Sequence, residues 1–177
     1  MKQLLMQATS GDLRHQVLRH ALRNSAAGEM ELRRGIAALS LLGMGCMAVV
    51  SLYQLGMIRH LPDPPTRWPH CHSDKVNASS EAYSYGMPDG PLTLALHAVN
   101  LGLAAAGPPD RARHRPWLPL LASLVSGAQA AVAAKYLFYR MPKVDRAWCP
   151  YCVTDARTHF ATFAMTLPES LRAIIRR

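Results

Sequence analysis

The sequence is poor in charged and aromatic residues and contains few cysteines. Only 18% of its 177 residues are charged and 7% are aromatic, although half are hydrophobic, so its apolar content is mainly aliphatic. Four cysteines are too few for the disulfide framework of a small secreted domain. The first 34 residues are too long and polar for the start of a cleavable signal peptide, and we find no internal repeat. At 177 residues, one domain is the expectation.

The hydrophobic residues are concentrated in four blocks between polar connectors. A helix of about 20 apolar residues spans the hydrocarbon core of a bilayer. We therefore predict an all-α membrane protein, a four-transmembrane-helix bundle with a long outer loop between helices 1 and 2. The predicted spans are residues 35–58, 91–107, 116–138 and 149–167. The basic segments 1–34 and 168–177 flank this domain on the cytoplasmic side.

The basic residues set the expected orientation. A net charge of +9 in a soluble chain would suggest nucleic acid, but these residues flank apolar blocks, so topology and anionic lipid explain them better. With the N-terminus inside, the inner segments hold 12 of the 20 Lys and Arg residues and the outer loops hold 6. We therefore predict a multi-pass protein of the bacterial inner membrane with both termini cytoplasmic. Leu13, Val17 and Ala21 recur every four residues, which suggests either a surface amphipathic helix or a solvated tail.

Cys149 and Cys152 form a CxxC pair at the outer start of the fourth span. Two thiols at this spacing can close a disulfide, and the first turn of the following helix stabilises a thiolate. The outer side is oxidising in a bacterium, so the pair can pass a disulfide to secreted proteins. An inert disulfide, two buried thiols or a metal site would share this spacing. A c-type haem site is not expected, because Val153 rather than His follows the pair.

The outer loop carries a second pattern. Val76 and Ser79 follow Ser73 by three and six residues, and a Gly-x-Pro begins at Gly86, seven residues after Ser79. With the CxxC and the four spans, this pattern resembles the vitamin K epoxide reductase family over about residues 35–167. The resemblance implies a four-helix bundle around a quinone, either ubiquinone or menaquinone, which the CxxC thiols reduce. It also implies a pair of loop cysteines that relays the disulfide to a thioredoxin-like periplasmic or extracellular partner.

The resemblance also implies roles for single residues. Cys152 would be the thiol nearest the quinone, Cys149 would exchange with the relay, and Ser79 would lie near the ring. Two positions depart from the family, since Ser73 stands where the second relay cysteine would be, and Ala156 replaces a tyrosine. The chain therefore looks like a divergent bacterial member that lacks the loop cysteine pair.

Cys71 leaves three alternatives open. It can act alone as the exchange thiol, forming a mixed disulfide with Cys149, and protonated His70 and His72 would then lower its pKa. It can join these histidines in a soft-metal site, or it can be an ordinary loop cysteine. We place Cys71 with the catalytic cysteines, whereas Cys46, in the middle of a span, is expected to behave as a small hydrophobe.

Polar residues inside the spans are the remaining candidates. Asp155 and His159 share a face of the fourth span, where they would deliver protons to the quinone or form a neutral pair that holds helices together. His97 and Asn100 in the second span are either quinone contacts or packing groups. We take Ser79, Asn100 and Asp155 as the candidate quinone-binding residues.

The predicted function is that of a membrane thiol–disulfide oxidoreductase, which couples dithiol oxidation at the CxxC to quinone reduction and so forms disulfides in secreted proteins. Two rivals remain from other classes. One is a degenerate, non-enzymatic membrane protein, which the missing relay pair favours. The other is a metal-binding membrane protein that uses the CxxC with Cys71 and its neighbouring histidines.

Overall fold

The computed structural model describes residues 13, 15–63 and 70–175 of the chain. Most of the predicted N-terminal segment, loop residues 64–69 and the last two arginines lie outside the described residues. Residues 15–24 are helical (α1). The other α-helices are α2 (Gly28–Gln54), α3 (Ser73–Asn77), α4 (Asp89–Ala105), α5 (Arg111–His114), α6 (Trp117–Lys135) and α7 (Pro150–Ile175). A short 3₁₀ turn (Ser80–Tyr83) follows α3, and a π-helical segment (Tyr136–Asp145) continues α6.

The described residues contain no β-sheet, only one isolated bridge between Cys71 and Trp148. This confirms the predicted all-α class. The long helices form a bundle in which α2 packs against α4 and α7, and α6 packs against α7. By length and composition, two helical stretches of the described chain are long and apolar enough to cross a membrane, Gly28–Gln54 and Trp117–Asp145. Two of the four spans thus have this support, and the other two stay a prediction.

Helix α2 ends four residues earlier than the predicted first span. Gly56 adopts a left-handed conformation (φ 75°), which closes a hydrogen-bonded helix end. The Met57 N–H donates to the Leu52 carbonyl at 2.8 Å, and the Gly56 N–H donates to the Tyr53 carbonyl at 2.9 Å. The chain therefore turns into the outer loop at Gly56.

Buried arginines tie the helices together at the opposite end of the bundle. Arg33 donates to the carbonyls of Ala104, Ala106, Gly107 and Pro108, which satisfies acceptors at the end of α4.

A second arginine, Arg111, makes a two-point contact of 2.7 Å with each carboxylate oxygen of Glu169. The predicted fourth span ends at residue 167, yet α7 continues through Pro168 to Ile175. It continues because Glu169 pairs with Arg111 and the Ser170 hydroxyl donates to the Pro119 carbonyl.

Candidate functional site

The CxxC thiols lie at the amino-terminal end of α7. Cys149 precedes the first helical residue, Pro150, and its sulfur accepts the Cys152 N–H at 3.2 Å. This is the helix terminus at which free N–H groups and the helix dipole favour negative charge. Both cysteines are free thiols, but Cys149 is fully buried whereas Cys152 is partly exposed. The two sulfurs thus share a helix end and differ in access.

Asn77 contacts both sulfurs from α3 in the outer loop. Its amide nitrogen donates to Cys149 Sγ at 3.2 Å, and Cys152 Sγ lies 3.6 Å from its side-chain oxygen. The same amide nitrogen donates to the Ser73 carbonyl at 2.8 Å, which fixes the orientation of the side chain. Sequence reasoning missed Asn77, because its only signal is its position between Val76 and Ser79 in the loop pattern.

The outer loop docks onto the start of α7 through backbone pairing. The His72 N–H donates to the Trp148 carbonyl at 3.0 Å, and the Trp148 N–H donates to the His70 carbonyl at 2.8 Å. The buried side chains of Val76, Met141, Ala147, Cys149 and Val153 form one apolar cluster under this contact. The loop therefore closes over Cys149, and a partner protein can reach this sulfur only if the loop moves.

Cys71 lies in the docked loop segment, next to a carboxylate. Its sulfur is 3.6 Å from Asp63 Oδ1, and the same carboxylate accepts the Ser73 N–H at 3.1 Å and the Ser73 hydroxyl. Burial and the nearby negative charge of Asp63 raise the pKa of Cys71. This corrects the expected direction, because Asp63 is the charged neighbour that acts on this thiol, whereas His70 and His72 are exposed.

Ser73 occupies the position next to the buried thiol. It is itself fully buried, and its hydroxyl donates to the Asp63 carboxylate. The serine at the position expected for the second relay cysteine thus lies beside Cys149.

A largely apolar cavity of about 430 Å³ opens beside Cys152, among α2, the loop and helices α4, α6 and α7. Its volume lies within the range of small-molecule sites, and such sites combine apolar walls with a few polar groups. The apolar wall includes Leu92, Leu96, Val125 and Val132. The side chains with polar groups that line it are Asn77, Tyr85, Asp89, Thr93, Gln129, Tyr136, Cys152, Asp155 and His159. Cys149 is not among the described lining residues, so Cys152 is the thiol that faces this space.

Ser79 and Asn100, two of the predicted quinone-binding residues, are not among the described residues that line the cavity. Ser79 is half-buried at the start of the Ser80–Tyr83 turn. Asn100 is buried, and its amide nitrogen donates to Gln129 Oε1 at 2.6 Å. Gln129 lines the cavity, so Asn100 contacts a lining residue without lining the cavity itself.

Asp155 lies in the wall of the cavity and contacts two histidines, His159 in the same wall and His97 behind it. Its Oδ1 lies 2.7 Å from His97 Nε2, and its Oδ2 lies 3.3 Å from His159 Nε2. The two imidazole rings stack, with centroids 4.4 Å apart and planes inclined by 9°. Sequence reasoning paired Asp155 with His159 but treated His97 separately.

Among the described residues, His97, Asp155 and His159 form the one group of three ligand-type side chains close enough to hold a metal, with ligand atoms within 4.8 Å of one another. The set expected for a metal-binding protein, Cys71 with His70 and His72, does not form such a group there. The described loop therefore gives that rival no support.

The family model that matches this chain is that of the vitamin K epoxide reductase family, over residues 35–167. No curated protein and no solved structure matches the chain. The matched range covers all four predicted spans, the outer loop and the CxxC pair.

Proposed function

The chain belongs to the vitamin K epoxide reductase family, and from this premise we propose that it is a membrane oxidoreductase that couples oxidation of the Cys149–Cys152 dithiol to reduction of a quinone. One observation carries the proposal. Cys152 lines an apolar cavity inside the bundle, while Cys149 lies beside it under the outer loop. Such an arrangement gives one sulfur access to a lipid-soluble oxidant, and it gives the other access to a protein partner once the loop moves.

The residues around the cavity fit a quinone. Its walls are mostly apolar, and Asn77, Tyr136, Gln129 and His159 offer polar groups for ring oxygens. A bound quinone supplies a two-electron acceptor. The thiols lose two protons and two electrons as the Cys149–Cys152 S–S bond forms, and quinol is the balancing product.

The protein prepares the two sulfurs differently. Asn77 and the Cys152 N–H both donate to Cys149 Sγ, so they stabilise this sulfur when it carries negative charge. Cys152 is the sulfur that meets the quinone. Cys149 then exchanges the disulfide outward, which requires the loop to lift from the start of α7.

We propose two routes for that exchange. Cys71 lies in the docked segment and can form a mixed disulfide with Cys149 after the loop shifts. Alternatively, a thioredoxin-like periplasmic or extracellular partner attacks Cys149 directly. A Cys71→Ser variant that still oxidises its partner at the full rate would select the second route.

The proposed setting is the bacterial inner membrane, with four spans and both termini in the cytoplasm. The quinone is ubiquinone or menaquinone from the bilayer, and the clients are secreted proteins that acquire disulfides. A membrane-impermeant thiol reagent applied to intact cells should label Cys71. Labelling of Cys71 only after the inner membrane is broken would overturn this orientation.

The activity is tested by mixing the reduced protein with quinone analogues without oxygen. Quinol should form together with thiol loss, and the Cys149→Ser, Cys152→Ser double variant should form none. Cys46→Ser is the matched control and should retain the rate, because Cys46 packs in an apolar cluster around Met47 and Val50. Equal rates for the double variant and the wild type would refute the redox assignment.

The alternative is that this protein is a family member without enzymatic activity. One observation favours that alternative, namely Ser73 in place of the second relay cysteine. An inactive wild type that nevertheless folds and keeps both thiols free would support that alternative.

A further inference from the structure

We infer that His97, Asp155 and His159 form a proton-donating triad, in which His159 protonates the quinone oxygen that lies deeper in the cavity. This inference rests on the proposed function and assigns the proton source for the same site. Asp155 and His159 line the cavity, and His97 lies behind them, fully buried.

The hydrogen bonds define the protonation pattern. Each oxygen of the Asp155 carboxylate faces one imidazole Nε2, so each ring donates its Nε2–H to the carboxylate. The Nδ1 atoms of His97 and His159 are buried, and neither has a hydrogen-bond partner among the described residues. Buried polar atoms are normally paired. An extra proton can therefore bind at one of these two ring nitrogens. The negative charge of Asp155 would then balance the positive charge of the protonated ring.

The backbone of α2 is shaped to admit this triad. A Cβ atom added to Gly43 would lie 2.2 Å from His97 Nε2, so only glycine leaves room for the ring. The close packing of Gly43 then holds His97 in its stack with His159.

Two members of the triad also lie on the same helix as Cys152. Asp155 and His159 follow Cys152 by three and seven residues on α7, which places them roughly 5 and 10 Å further along the helix. The other ionisable groups that face this region are Cys46 from α2, Tyr85 from the outer loop, Asp89 from α4, Tyr136 after α6, and Cys152 itself. Histidine, unlike these groups, is the residue type that ordinarily titrates near neutral pH.

The proposed step balances protons and electrons. The two S–H bonds break, the S–S bond forms, and two electrons pass to the quinone. One thiol proton passes through Nδ1 of His159 to the deeper quinone oxygen, and the other thiol proton passes to the second quinone oxygen, so that quinol forms and the triad is left as it began. His159 is thus the catalytic residue, whereas Asp155 and His97 are positioning residues that hold the charge and the ring.

A metal ion would require a different geometry. The two ring planes are nearly parallel, so their Nε2 lone pairs do not converge on one point, and both nitrogens already lie at hydrogen-bonding distance from the carboxylate. The contacts therefore favour protons over a metal.

The test uses the purified full-length protein in lipid nanodiscs, with two measurements. In the quinone-free protein, ring ¹⁵N spectra of labelled histidine should show two Nε2–H imidazoles whose titrations are linked, and Asp155→Asn should uncouple them. In single-turnover reactions with a short-chain ubiquinone analogue, His159→Gln should slow quinol formation roughly 100-fold. It should also change the dependence of this rate on pH from that of the wild type.

Two further variants separate chemistry from folding. Gly43→Ala displaces His97 without removing an ionisable group, so it should uncouple the two histidine titrations and slow quinol formation. Thr162→Val is the matched control, since it alters a buried polar side chain one turn further along α7, and it should keep the wild-type rate and pH profile.

Several results would overturn the inference. They are an unchanged pH profile in His159→Gln, independent histidine titrations in the wild type, or a stoichiometric zinc ion that is lost from the His97→Gln variant. A wild type that makes no quinol at all would instead refute the proposed function, and the triad's role would fall with it.

Discussion

Asn77→Leu is the substitution that most directly probes how the loop prepares the CxxC pair. Asn77 donates to Cys149 Sγ at 3.2 Å from a site that is almost completely buried. A hydrogen bond to a charged group contributes about 1.5–3 kcal/mol, which corresponds to roughly 10- to 150-fold in rate. We expect the lower part of this range, because the Cys152 N–H still donates to the same sulfur.

The assay is a single-turnover reaction of the reduced protein with a quinone analogue, without oxygen. Asn77 also donates to the Ser73 carbonyl, so protection of Cys149 from iodoacetamide must be measured in parallel to show that the loop stays docked. Ser126→Ala is the matched control, because it removes a buried hydrogen bond to the Ala122 carbonyl away from the sulfurs. A docked Asn77→Leu variant that reacts within twofold of the wild type would refute this role.

Three other substitutions test the loop and the opposite end of the bundle. Asp63→Asn removes a negative charge that raises the pKa of Cys71, so it should lower this pKa and accelerate alkylation of Cys71 at pH 8. An unchanged alkylation rate would leave burial as the sole cause of the raised pKa. Ser73→Cys should yield a disulfide with Cys149 on non-reducing gels and mass mapping, whereas Ala78→Cys, on the exposed side of the loop, should not. A Ser73→Cys protein that keeps both thiols free would contradict the packing described. Glu169→Gln leaves a buried arginine without its counter-charge and should destabilise the fold by about 3–5 kcal/mol in denaturant unfolding, and a change below about 1 kcal/mol would show that the pair is dispensable.

The sequence was informative where a local pattern determines the structure. Apolar blocks with basic flanks predicted the long helices, and a spacing of three residues placed both thiols at one helix end. The i, i+4 spacing likewise paired Asp155 with His159. These features depend on helix geometry and composition, which a single chain reveals directly.

The parts that were missed depend on contacts between distant segments. Asn77 meets Cys149 across 72 positions, and His97 meets Asp155 across 58. No periodicity in the sequence predicts such contacts. The need for a glycine at Gly43 is likewise evident only from the packing of His97 against it. The expected lowering of the Cys71 pKa was wrong for the same reason, since adjacent histidines were visible in the sequence whereas the approach of Asp63 was not.

The central claim is that the Cys149–Cys152 pair passes its electrons to a quinone. The most direct measurement mixes the fully reduced protein anaerobically with ubiquinone and menaquinone analogues, counts quinol formed, and maps disulfides by mass spectrometry. We expect one quinol for each Cys149–Cys152 disulfide, at matching rates. Formation of that disulfide without quinol, or of quinol while both thiols stay reduced, would contradict the account.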